Sequence, residues 1–107
     1  MLVAWTTVND FAVAEQLAKE AIEQRLAVCA QVDNSPVISF YRWEGKTEQA
    51  REYRLVFKCL PEQLGRLEDW LHQHHPYEVP QWIVIRTEHV GEKYLSWAKA
   101  NATFPPF

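Results

Sequence analysis

The sequence predicts an α+β domain in which two helices cover one face of an antiparallel sheet, and three observations carry that expectation. Apolar runs of strand length alternate with helical segments in the order strand, helix, strand, strand, helix, strand. Each helical segment keeps its apolar side chains on one side and its charges on the other, so it covers something on that side only. A glycine follows an alternating aromatic run at Tyr41-Arg42-Trp43-Glu44-Gly45 and marks a tight return between two strands. That order is the split β-α-β arrangement of a ferredoxin-like sandwich, here with a further short helix at the C-terminal end (βαββαβ plus C-terminal helix).

Leu2 to Val8 is a β-favouring run that stops at Asn9-Asp10, either of which can accept hydrogen bonds from the first turn of a helix. From Phe11 to Leu26, Ala14, Leu17, Ala18, Ala21 and Ile22 recur at three- and four-residue steps, opposite Glu15, Lys19, Glu20 and Glu23. Ala27 to Val32 is again apolar. It is interrupted by Asp33-Asn34-Ser35-Pro36 and resumes with period two from Val37 to Trp43, which predicts one long strand with a kink or bulge near Pro36. After Gly45 the chain returns through Tyr53, Leu55, Phe57 and Cys59, alternating with Arg54, Val56 and Lys58. Pro61 suits the first turn of a second helix, whose face of Leu64, Leu67, Trp70, Leu71 and His74 runs until Pro76 stops it. Trp82 to Ile85 is the last strand, and Tyr94, Leu95 and Trp97-Ala98 lie on the last helix. The proline-rich tail from Thr103 to Phe107 cannot continue that helix.

With 107 residues the chain is expected to form a single domain spanning 1–107, since that length buries only roughly two-thirds of its unfolded surface. It carries 11 basic and 14 acidic residues and has no basic run, so phosphate-backbone binding has no electrostatic support and nucleic acid is not an expected partner. The same balance argues against an RNA-recognition domain, which shares the fold but needs basic neighbours around its exposed aromatics. Cys29 and Cys59 sit in apolar runs rather than in a spaced framework, which suits a reducing cytoplasm. Met1 leads directly into the first strand, with no basic n-region and no long apolar stretch, so neither a signal peptide nor a membrane anchor is expected. Without an export signal, Asn101-Ala102-Thr103 is read as an accidental glycosylation match.

A sheet with helices on one side has a second face. Here the strands carry apolar or aromatic residues on both alternating sets, Ile38 and Phe40 on one and Val37, Tyr41 and Trp43 on the other. Covering the second face by self-association is economical, so a homo-oligomer is expected.

Chemistry concentrates where the second helix ends, at His74-His75-Pro76-Tyr77-Glu78-Val79-Pro80. His72 and His75 stand three apart and can share a copper or zinc ion, while the same histidines also suit a helix C-terminus through partial positive charge. Cys29 is a possible soft ligand or a packed small hydrophobe. The topology puts it at the end of the sheet opposite His75, so a site joining the two would form across subunits. Thr6 and Thr7 should share a rim with Tyr77, Glu78, Tyr41, Trp43 and Glu52, a convergence of polar groups and aromatic walls that suits a small ligand or an ion. A purely structural reading is equally open: Tyr41 and Trp43 as interface anchors, and Glu52 paired with Lys46. Lys58 would be costly to bury alone and should find a carboxylate or an anion. The sequence holds no glycine-rich phosphate loop, no Gly-x-Ser-x-Gly elbow and no Cys-x-x-Cys pair, so an enzyme is not expected.

Nearly the whole chain, from Thr6-Thr7 to Tyr94-Leu95-Ser96-Trp97, resembles the CutA divalent-cation tolerance family. The matching positions include Arg25-Leu26-Ala27 with Cys29, Ser39, Tyr41, Trp43-Glu44-Gly45-Lys46, Glu52, Lys58 and His75-Pro76-Tyr77-Glu78-Val79-Pro80. The resemblance implies a cytoplasmic homotrimer with a PII-like assembly, a role in copper tolerance, and binding of a divalent metal ion such as Cu²⁺. The chain departs from the family pattern twice. Cys59-Leu60 replaces the threonines that usually follow the lysine of this strand, which removes a hydroxyl helix cap. Gln81 replaces the usual glutamate, which keeps hydrogen bonding but loses a hard anionic ligand. The reading is therefore a trimeric metal-responsive module without turnover. Its rivals are a PII-like sensor of a small anionic or nucleotide ligand, and a trimeric scaffold that offers the Phe104-Pro105-Pro106-Phe107 tail to another protein.

Overall fold

A computed structural model describes residues 1–102, so the proline-rich tail lies outside the described residues. The elements follow the order β1 (Leu2–Val8), α1 (Phe11–Glu23), β2 (Cys29–Val32), β3 (Val37–Trp43), β4 (Lys46–Cys59), α2 (Pro61–His74), β5 (Ile83–Arg86) and α3 (Glu92–Ala102). The sheet runs β2-β4-β1-β5, and β3 pairs with the remaining length of β4. Every pairing is antiparallel. This is the expected ferredoxin-like sandwich with an added C-terminal helix.

The break predicted near Pro36 is resolved by the register. Val32 pairs with Leu55 and Val37 with Glu52, so five steps on one side face three on the other, and two extra residues bulge out between β2 and β3. The Asp33 carboxylate accepts from Arg54 Nε at 2.8 Å and pins the bulge to β4. β4 itself is longer than its apolar alternation indicates, with 14 residues. Its first half forms, with β3, an arm projecting from the sheet.

Leu2, Ala4, Val8, Leu55, Phe57 and Cys59 meet Ala14, Leu17 and Ala21 of α1 and Leu67, Trp70 and Leu71 of α2 in one buried cluster. The alternate set on β1 and β5, which includes Val3, Trp5, Ile83 and Ile85, points to the face without those helices. A smaller cluster of Val28, Leu60, Ala98 and Ala102 docks α3 at one end.

The capping chemistry explains where the helices begin and end. Asp10 Oδ1 accepts from the backbone N–H of Ala12 at 2.8 Å and of Val13 at 3.2 Å, so the aspartate of the Asn9-Asp10 pair is the cap. α1 stops at Glu23 rather than at Leu26, because Arg25 adopts a left-handed φ of 57° and Leu26 N–H turns back to the Ala21 carbonyl at 2.9 Å. At α2, Leu60 supplies no side-chain cap, as the missing threonine predicts. Gln63 compensates in part: its Oε1 accepts from Leu60 N–H at 2.8 Å while its Nε2 donates to the Arg25 carbonyl at 3.0 Å, tying the two helix ends together.

Trp43 pairs with Lys46 around a two-residue turn in which both Glu44 (φ 50°) and Gly45 (φ 78°) are left-handed, the signature of a type I′ hairpin. Glutamate is a poor choice at the first of those positions. The variant Glu44→Asn is expected to raise stability by about 0.5 kcal/mol, read as a higher denaturant midpoint at unchanged m-value, because asparagine tolerates that conformation better.

Candidate functional site

β1 ends in two buried threonines, and α2 ends in His75, whose backbone N–H still bonds to the Leu71 carbonyl at 2.8 Å. The imidazole bridges the two elements. Its Nε2 lies 3.0 Å from the Thr7 carbonyl oxygen and 3.0 Å from Thr6 Oγ1, and its Nδ1 accepts from Tyr77 N–H at 3.1 Å. A carbonyl can only accept and an amide N–H can only donate, so the ring is the neutral tautomer with its proton on Nε2. Burial, the largest influence, holds its pKa below the usual histidine value, and His72 pushes the same way, against the Thr7 carbonyl and Glu52.

Pro76 and the turn after it bring Tyr77 back over the sheet, its ring edge-on to His75 at 4.8 Å. The phenol donates to Glu52 Oε2 at 2.8 Å. Its pKa is raised by burial first and by the neighbouring carboxylate second, so the hydroxyl keeps its proton and remains a donor. A hydrogen-bonded chain therefore runs from β1 through His75 and Tyr77 to β4. Glu52 does not pair with Lys46: both stand on β4, where Lys46 faces Trp43 at the turn and Glu52 faces Val37 six residues farther along.

These groups open onto a cleft of about 810 Å³ between the arm and the segment before β5. Thr7, Glu52, Tyr41, Trp43, Tyr77 and Glu78 line it. Phe40, Ser39 and Gln81 line it as well and were not expected there. Alternation assigned Phe40 to the opposite face from Tyr41 and gave no signal that both reach the cleft.

The remaining candidates lie elsewhere. Lys58 pairs with Val3 and Cys29, near the other end of β1 from Thr7, and its Nζ sits 5.8 Å from the centroid of the Tyr94 ring rather than beside a carboxylate. Burial first and the nearby half-buried Cys29 thiol second raise the pKa of Tyr94. Both cysteines are free. Burial pushes the Cys59 thiol up to about 11. His72 is on the outer side of α2, its Nδ1 donating to the Glu68 carbonyl at 2.9 Å and its ring edge-on to Trp82. Cys29, His72 and His75 are thus not brought together within one chain. Among the described residues no group of three or more His, Cys, Asp or Glu side chains is placed to hold a metal ion.

A family model described as CutA1 divalent ion tolerance protein matches residues 2–101. The chain belongs to the CutA1 family. The divalent-cation tolerance protein CutA of Salmonella newport is 36% identical over 100 residues, covering 94% of this chain and 86% of the relative. A CutA1 crystal structure from Pyrococcus horikoshii OT3 superposes with a TM-score of 0.91 at 32% identity, covering 97% of this chain and all of that one. CutA from Synechococcus elongatus gives 0.90 at 33% identity, covering 95% and 89% of the two chains. The CutA of Archaeoglobus fulgidus, described as a periplasmic divalent cation tolerance protein, gives 0.90 at 29% identity, covering 96% of this chain and 100% of that one. No helix among the described residues of this CutA1 chain is long and apolar enough to cross a membrane.

Proposed function

We propose that this CutA1-family chain acts as a single-domain cytoplasmic homotrimer that binds divalent metal ions, copper among them, and contributes to metal tolerance without a turnover reaction. The observation that carries the assembly is the apolar surface left open by one chain: Ile83 is 51% exposed, Ile85 45% and Phe40 69%, all on the sheet or its arm. A lone soluble subunit rarely leaves so many large apolar groups in water. Copies of the same chain are the occupant that the PII-like assembly supplies.

The metal reading rests on family membership and on two donors that remain accessible, the Cys29 thiol and the His72 Nε2. The described residues of one chain do not gather enough donors for a closed site, so a divalent ion would draw ligands from more than one copy. The cleft favours a second reading, a sensor that takes a small ligand against Tyr41, Trp43, Glu52 and Tyr77.

The test is calorimetric titration of the purified oligomer with Cu²⁺ and Zn²⁺, repeated on the Cys29→Ala, His72→Ala double variant. Saturable binding to the unaltered protein that falls at least about tenfold in the variant is expected for loss of two ligands. Equal binding by both proteins would remove these side chains from the site.

A further inference from the structure

His75 fastens two parts of the fold at once, and its two ring nitrogens answer to acid in opposite ways. Nε2 donates towards the Thr7 carbonyl and Thr6 Oγ1, each at 3.0 Å, while Nδ1 accepts from the Tyr77 N–H at 3.1 Å. A proton taken up by the neutral ring goes to Nδ1, the nitrogen with a free lone pair. The tie to β1 survives, because Nε2–H still donates to Thr7. On the other side an acceptor turns into a donor that faces the Tyr77 N–H, and two donors repel in that place.

Tyr77 belongs to the stretch from Pro76 to Trp82, which lies outside helix and strand. Pro76 and Pro80 have no N–H to give, so side chains supply anchors: the Tyr77 hydroxyl donates to Glu52 Oε2 on β4 at 2.8 Å, and Trp82 Nε1 to Glu68 Oε1 on α2 at 2.6 Å. The state of His75 therefore reaches the arm through Tyr77. These bonds lie within one chain and persist whether or not another copy covers the cleft.

His75 is 8% exposed. The ionisable groups acting on it are His72 on α2 and Glu52 on β4, with the Tyr77 ring edge-on beside it. His74 turns its Nδ1 to the Trp70 carbonyl, and Arg54, in register with Thr7, is committed to Asp33. Burial first, then His72, outweigh the Thr7 carbonyl and Glu52 and hold the His75 pKa below 6.5. The neutral ring is the resident form at neutral pH, and it is lost as the pH falls through that lowered value.

We propose that His75 is an acid-operated latch: a proton on Nδ1 turns the Tyr77 N–H away and draws the Tyr77 hydroxyl off Glu52, while α2 stays fastened to β1 and the subunit stays folded.

The purified oligomer, labelled with ¹⁵N at histidine and tyrosine and with ¹³C at the tyrosine Cζ, is followed by NMR from about pH 7.5 to about 4.5. With four residues of each kind the signals are few enough to assign. At the upper end the His75 ring should carry its proton on Nε2. As the pH falls, the Tyr77 amide and the Tyr77 Cζ signal, which reports the hydroxyl's hydrogen bond, should both move with the midpoint of the His75 ring. After correction for the intrinsic pH dependence, the Tyr77 amide should lose at least about tenfold in exchange protection with the circular dichroism unchanged. His75→Asn, whose Oδ1 can accept where Nδ1 did but cannot titrate, should keep that amide protected throughout. Glu52→Gln, which still accepts from Tyr77 but carries no charge, should keep the response with its midpoint at lower pH. The proposal is overturned if the neutral ring carries its proton on Nδ1, if either Tyr77 signal ignores the His75 titration, if the response persists in His75→Asn, or if it vanishes in Glu52→Gln. Should His75→Asn fail to fold, the shared midpoint in the unaltered protein and the Glu52→Gln titration still decide.

Discussion

His75→Ala is expected to cost the fold about 2–4 kcal/mol, because it leaves the Thr7 carbonyl, the Thr6 hydroxyl and the Tyr77 N–H without their shared partner in a buried place. Denaturant unfolding followed by fluorescence measures it. The pH dependence provides a second reading of the same residue. Burial lowers the folded-state pKa of His75 below the ordinary value of 6.5, so the unfolded chain takes up the proton first as the pH falls. The stability tied to the neutral ring is therefore complete above about 6.5 and is lost as the pH drops through the lower, folded value. His75→Gln, which can still donate to Thr7, should flatten this acid-side slope. A variant as acid-sensitive as the unaltered protein would assign the slope to other groups.

Ile83→Glu is expected to break the assembly while sparing the subunit. The side chain stands half in water on the open face of the sheet, paired in register with Trp5, so a single chain tolerates a charge there. Buried against a second copy, the same charge has no partner and costs several kcal/mol at each symmetry-related contact, which corresponds to a loss of at least about 100-fold in association. Light scattering at micromolar concentration should give the trimer mass for the unaltered protein and the mass of one subunit for the variant. Both should retain the same circular dichroism. An unchanged mass in the variant would place the interface elsewhere.

The sheet and helix order was legible because each element announces itself locally, by alternation in β1 and by three- and four-residue spacing in α1 and α2. The bulge was legible from Pro36. Three features were not. The stretch Lys46-Thr47-Glu48-Gln49-Ala50-Arg51 has no apolar alternation, so the first half of β4 could be inferred only from the Gly45 turn; it is held by pairing with β3. The early end of α1 follows from a left-handed arginine, which no propensity predicts. The orientation of His75 depends on Thr6 and Thr7, 69 and 68 residues away along the chain. Its position beside His72 read as a pair of metal ligands, and the long-range contacts direct its ring inward instead.

β4 passes unbroken from the turn tip to the sheet centre, whereas its partner changes from β3 to β2 across the bulge. Where the partner changes, Tyr53 and Arg54 stay paired with Val8 and Thr7 of β1, so the arm is rooted in the sheet at these two residues. The Tyr53 ring meets that of Phe11, the first residue of α1, at a tilt of 57° with centroids 5.3 Å apart. The root of the arm therefore bears directly on the first residue of α1, so the seating of the arm and that of the helical layer share one contact.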